Sequence, residues 1–164
     1  MSGRIVADAG PLIGLARVDG LPLLRSLYGE VVIPPEVAEE LRLTEDRPGS
    51  LRLRDFAKEG WLRIQELAAP KVSPEVLGLD PGEAAAIALA VELKARFLLI
   101  DEYRGRKAAL RCGVPVVGVP GLLLAAKAQG QLREVAPLLE SLSQAGYRLS
   151  AELYAEVLRR AGEG

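Results

Sequence analysis

The chain has no histidine, no asparagine and a single cysteine, Cys112. Without imidazole neither Ser-His-Asp nor Cys-His catalysis is available, and zinc sites that need nitrogen or sulfur ligands lack their donors. A lone cysteine also excludes an intrachain disulfide. Carboxylates remain as the chemical actors. No apolar run reaches the length needed to span a bilayer, and the first residues, MSGRIVADAG, lack the apolar segment of a signal peptide, so a cytoplasmic protein with no membrane contact is expected. Excess positive charge is missing too: the formal net charge is −1, which argues against gripping nucleic acid through bulk charge but leaves room for a local basic rim. The preference for Arg over Lys and the absence of Asn fit selection for heat. A GC-rich genome explains the Arg, Ala, Gly and Leu usage equally well.

What is present suffices for a core. With 164 residues, 49% of them hydrophobic and 26% charged, the composition is that of one globular domain. The organising stretch is RIVADAGPLIGL, Arg4 to Leu15, where Ile5 and Val6 read as a buried strand that stops at Asp8 and breaks into a helix. Val31 to Ile33 reads as a second strand, ended by Pro34-Pro35 and followed by a helix from Glu36 to Leu43. At 100° per residue that helix buries Val37, Ala38 and Leu41, turns Glu39 to water and leaves Glu40 at the boundary. A polar helix over 51–60, a short strand around Leu62 and Ile64, and a proline-bearing connection over 69–81 come next. A helix opens at Asp80-Pro81-Gly82-Glu83; Phe97 to Ile100 is a strand ending at Asp101; Tyr103 to Arg111 is a helix; Val116, Val117 and Val119 form a last strand ended by Pro120-Gly121. From Leu122 onward the pattern is helical: 122–129, 132–145 and 150–161. Alternation of this kind predicts an α/β fold with a parallel sheet covered on both faces, an α/β core over 1–121 and a helical extension over 122–164 of a single 1–164 domain.

Four carboxylates take comparable places: Asp8 and Asp101 at strand ends, Glu40 on a helix and Glu83 at a helix start. In open α/β sheets ligands bind at the carboxyl ends of the strands, so these acids are expected to converge. A cluster of this kind repels itself and raises its members' proton affinities unless a cation neutralises it. Oxygen-only ligands select Mg²⁺ or Mn²⁺, and such an ion suits phosphodiester hydrolysis, activating water and stabilising charge on the phosphate and leaving oxygen. Each acid also has a structural reading. Asp8 and Asp101 can cap the helices that follow them, Asp80-x-x-Glu83 has the form of a capping box, and Glu40 lies in a solvated acidic helix.

These residues resemble the PIN-domain family of metal-dependent ribonucleases, including VapC-like toxins of toxin-antitoxin pairs, and the likeness is nearest to a branch filed as a domain of unknown function. It rests on IVADAGPLIGLARV, VVIPPEVAEEL, LDPGEAAAIALAVEL and FLLIDEYRGRKAALRCGVPVVGVPGLLLAAKAQG. The resemblance implies a three-layer α/β/α sandwich with a central parallel sheet. It further implies Mg²⁺ or Mn²⁺ held by Asp8, Glu40, Glu83 and Asp101 as the catalytic set, RNA as substrate, a small cognate antitoxin as partner, and a homodimer. Two positions depart from the family pattern: Gly10 stands where many relatives have Ser or Thr, and Glu83 where many have Asp.

Arg104, Arg106 and Lys107 follow Asp101 and are candidates for phosphate contact, or else the solvated face of a helix. Leu138, Leu139, Leu142, Leu149 and Leu153 either pack on the domain or offer a partner surface. A non-catalytic scaffold that binds RNA or protein is the competing reading, and Gly10 favours it. A phosphoacceptor receiver is set aside, because VADAG and VVGVP supply neither the acidic pair nor the lysine it needs.

Overall fold

Five short runs form the strands of the computed structural model, which describes residues 3–69 and 76–164. They are β1 (Ile5–Ala7), β2 (Val31–Ile33), β3 (Leu62–Ile64), β4 (Phe97–Leu99) and β5 (Val116–Val117). All pair in parallel, in the order β3-β2-β1-β4-β5. The three inner strands are buried along their whole length, as strands covered on both faces must be. β3 buries only Leu62 and β5 is half-buried, because each lies at an edge.

The covering helices are α1 (Ala9–Arg17), α2 (Leu21–Tyr28), α3 (Pro35–Leu41), α4 (Ser50–Lys58), α5 (Pro81–Leu93), α6 (Tyr103–Arg111), α7 (Val119–Ala128), α8 (Ala136–Gln144) and α9 (Ala151–Arg160). Proline sits in the first turn of α2, α3, α5, α7 and α8, where its missing N–H leaves no bond unmade. This accounts for two departures from expectation. Val119 is not in β5: Gly118 is the N-cap of α7 and Pro120 lies in that helix's first turn rather than ending a strand. The next helix starts at Ala136, not 132, because a longer one would set the Pro137 ring against the carbonyl four residues back. The expected connection over 69–81 falls partly on 70–75, outside the described residues.

α5 can lie directly on β1 and β4 because its buried positions are mostly small, Gly82, Ala85, Ala86 and Ala90 among them. The carboxyl-terminal helices join the same core: Leu122, Leu123, Leu139, Leu142 and Val157 pack in one cluster with the strands. Leu138 and Leu149 are half-buried against it, and Leu153 is exposed. Glu163 ties the end of the chain down. Val135, the N-cap of α8, has no polar side chain; Glu163 supplies one, accepting from Val135 N at 2.8 Å, Ala136 N at 2.9 Å and Lys127 Nζ at 2.7 Å. The ammonium of Lys127 and these two amides hold the Glu163 carboxyl down at about 2. No helix among the described residues is long and apolar enough to cross a membrane.

Candidate active site

The chain leaves β1 toward β2 and β3 on one side and returns to β4 and β5 on the other, so the direction of winding reverses between β1 and β4. At such a switch point the connections diverge and open a crevice at the carboxyl ends of the strands. Asp8 follows β1 there, and its own N–H extends the ladder to Leu99 O at 2.9 Å. Asp101 stands two residues past Leu99. The reversal itself sets the first and last of the four acids beside each other.

Asp8 occupies the N-cap position of α1 but makes no side-chain capping bond. It is 8% exposed, and its Oδ1 is buried with no hydrogen-bond partner among the described residues. Burial, with help from the Glu40, Asp80 and Asp101 carboxylates, pushes its carboxyl up to about 6, against a smaller downward pull from Ala9 N–H. Asp101 does not cap the helix that follows it either. Its Oδ1 accepts from Val119 N at 2.9 Å, at the start of α7, while Oδ2 is buried without a partner among the described residues. Burial raises the Asp101 carboxyl, opposed by Tyr147, Val119 N–H and Arg106. Two buried carboxylate oxygens without partners, at adjacent strand ends, are costly unless something positive meets them.

Glu83 carries both of its sequence readings at once. It completes the capping box, with Glu83 N donating to Asp80 Oδ1 at 2.8 Å and Asp80 N to Glu83 Oε1 at 3.4 Å. It is nonetheless buried facing the other acids, and burial plus the charges of Asp80, Asp8 and Glu102 push its carboxyl up to about 7. Glu40 is exposed at the rim on α3, leaning to the start of α5; burial, Asp80 and Glu83 raise it. The structure thus groups all four candidate acids and adds Asp80, whose role as cap hid its place in the cluster. Among the described residues, no group of three stands in geometry ready to coordinate one cation. The donors still fit a hard divalent ion in kind, since they are all oxygens, two of them buried and unpartnered.

Two glycines make this crowding possible. A Cβ at Gly82 would overlap Glu40 Oε1, and one at Gly118 would lie 2.8 Å from Asp101 Oδ1. Gly82→Ala therefore tests the cluster without breaking the helix, because Ala is favoured over Gly in a helix by up to about 1 kcal/mol and the displaced group is the tip of a flexible side chain. The expected outcome is Mn²⁺ binding weakened about 10-fold or more in calorimetry, with a melting temperature equal to or above that of the unaltered chain.

Tyr147, between α8 and α9, is a participant that the sequence reading missed. Its ring packs where Gly14 has no side chain, with Cδ2 3.1 Å from the Cβ position there, and its hydroxyl is directed toward Asp101 without reaching hydrogen-bond geometry. Only the pairing of Gly14 with a distant aromatic residue could have signalled it. The three expected phosphate-contact residues separate. Arg106 turns inward, donating from Nη1 to Ile100 O at 2.9 Å and flanking Asp101. Arg104 and Lys107 point to solvent, with the Lys107 ammonium 5.2 Å from the Tyr103 ring centroid.

A parallel α/β sandwich with an acidic crevice at its switch point is the class that these observations define. The chain belongs to the PIN-domain family, whose sequence profile matches residues 4–163. The PIN domain is generally a nuclease fold, and its members generally use divalent metal ions. Among solved structures, a PilT N-terminus domain protein from the hyperthermophilic archaeon Sulfolobus solfataricus P2 is similar, at 18% identity and a TM-score of 0.54, over 75% of this chain and 92% of that one. That likeness concerns the fold. No curated protein matches the sequence.

Proposed function

We propose that the protein is a divalent-metal-dependent endoribonuclease, acting as one 1–164 domain and a homodimer in the cytoplasm, and that it is the toxin of a type II toxin-antitoxin pair held in check by a small cognate antitoxin. Asp8, Glu40, Glu83 and Asp101 form its metal-holding and catalytic set. The observation that carries the reading is the pair of buried oxygens, Asp8 Oδ1 and Asp101 Oδ2, that have no hydrogen-bond partner among the described residues, on two carboxylates close enough for the charge of Asp101 to raise Asp8.

Mg²⁺ or Mn²⁺ held there would supply an activated water and offset charge on the phosphate and the leaving oxygen. The chain's own groups do the rest. Val119 N–H holds Oδ1 of Asp101, which leaves Oδ2 free to meet a cation, and the charge of Arg106 favours the ionised carboxylate. Glu83, with its carboxyl up at about 7 in the metal-free chain, would be drawn to its ionised form by a bound cation and so serve as one of the ligands. Gly10 offers no hydroxyl to the crevice, and this together with the unclosed ligand geometry favours the scaffold reading as the alternative.

Incubating a mixed RNA panel with purified protein separates the two. Cleavage with Mg²⁺ or Mn²⁺, stopped by chelator and absent from Asp101→Asn protein prepared identically, supports the nuclease. Failure to cut with either metal, together with no heat of metal binding, supports the scaffold. Cutting that persists in Asp101→Asn rejects the assigned centre. The toxin role is tested by growth arrest on expression, relieved by a small neighbouring gene product.

A further inference from the structure

The surroundings of the acidic crevice are electrically lopsided. On the α3 side a groove is lined by Glu36, Glu39, Glu40, Glu45 and Asp80, and its one cation, Arg42, is paired with Glu45 at 3.1 Å. On the α6 side a smaller groove of about 180 Å³ is lined by Leu77, Leu79, Tyr103, Arg104, Lys107 and Arg111 among others, with no acidic residue among the described ones. Arg104, Lys107 and Arg111 recur at the three- and four-residue spacing that puts them on one helix face, over about 10 Å of axis. None of them forms an ion pair among the described residues. Tyr103, in the first turn, is 69% exposed, and Leu77 beside it is 66% exposed.

We infer that this face of α6 is a binding track for single-stranded nucleic acid, with a base stacked on Tyr103 and the backbone phosphates on Arg104, Lys107 and Arg111. The inference deepens the nuclease reading and rests on it for the direction of the strand: α6 begins immediately after Asp101 and Glu102, so the track leads away from the crevice. Of these two grooves, the α3 side repels phosphates and the α6 side attracts them. An exposed aromatic ring beside cations is the chemistry that holds an unpaired base, since every base has a face to stack and a duplex hides it. Arg106 does not belong to the track, being spent on Ile100 O and Asp101.

The test is anisotropy with labelled oligouridylate and with its duplex, in chelator so that metal-dependent cutting is stopped. Single strand is expected to bind more tightly than duplex. Tyr103→Ala is expected to weaken single-strand binding roughly 5- to 100-fold, with Tyr103→Phe restoring it and the salt dependence unchanged. Arg104→Ala/Lys107→Ala/Arg111→Ala is expected to make the slope of log affinity against log salt shallower by about 2. All these side chains face solvent, and circular dichroism checks that the variants fold. Unchanged affinity and slope in the triple variant overturn the track. So does tighter binding of polyglutamate than of oligouridylate, which would mark the face as a dock for an acidic protein. Cleavage by the unaltered chain and the triple variant alike would reject the track while the nuclease stands. Tyr103-dependent binding without any cleavage would keep the track and reject the nuclease.

Discussion

Asp8→Asn protein is expected to lose metal-dependent RNA cleavage by at least about 100-fold, and yet to melt at a higher temperature than the unaltered chain when both are metal-free at pH 8. The two halves have one cause. Asp8 is buried among other carboxylates, so its ionised form is held in place against its own desolvation and their repulsion. A shift from 3.8 to about 6, at about 1.4 kcal/mol per unit, makes that ionised form cost the fold about 3 kcal/mol. Asparagine keeps the shape and removes the charge. A gain of about 1 to 3 kcal/mol at pH 8 corresponds to roughly 2 to 10 °C in a chain of this size. At pH 4 the gain should shrink to a small fraction, because Asp8 is then protonated in the folded chain and about half protonated in the unfolded one. A melting scan of both proteins at the two pH values, beside a cleavage assay, checks this. A lower melting temperature at pH 8 would mean that Asp8 is a structural cap after all.

The second large effect is a pH dependence that a cation abolishes. Asp8 and Glu83 both have folded-state values above their unfolded ones, 3.8 to about 6 and 4.5 to about 7. Groups of that kind contribute stability that is fully present below the unfolded value and lost as pH rises through the folded one. Without metal, stability should therefore fall between about pH 4 and pH 7, with Asp8 and Glu83 acting in the same direction. Glu163 works oppositely. Its value is lowered from 4.5 to about 2, so its contribution is complete above 4.5 and is lost as pH falls toward 2. Mg²⁺ or Mn²⁺ at 100 times its dissociation constant adds about 2.7 kcal/mol, or about 5 to 10 °C, and most at pH 8 where the acids are ionised. Differential scanning calorimetry with metal and with chelator measures both limbs. A metal-free chain whose melting temperature rises steadily to pH 8 would contradict the self-repelling cluster.

The placement of the four acids was more legible than that of the residues around them. Asp8 and Asp101 stand out from sequence because each follows a strand, Glu83 because it opens a helix, and Glu40 because it lies at the edge of a helix's buried face; the parallel sheet follows from strands alternating with helices. Asp80 was hidden because a capping box explains it fully, and nothing in a capping pattern says which way the box faces. Tyr147 was hidden because what it meets, Gly14 and Asp101, lies far away in the chain. The Val119 strand assignment failed for a local reason: a β-branched run and a proline read as strand and stop, whereas glycine before and proline after the same valine make a helix start. Arg106 could not be told from Arg104 and Lys107 by spacing, since one helix turn decides which cation reaches an interior carbonyl.

The order of the strands bears on when this centre comes into being. β1 pairs with β4, so Ile5 must find Phe97 before Asp8 and Asp101 can meet, and Tyr147 closes on Gly14 from farther along still. Contacts between such distant parts of a chain form late in folding, after local helices have already appeared. During refolding, helical signal is therefore expected to return ahead of divalent-ion binding. A chain caught part-way, however helical, does not yet own an acidic crevice, and whatever hydrolytic capacity the protein has is withheld until these distant segments have been brought together.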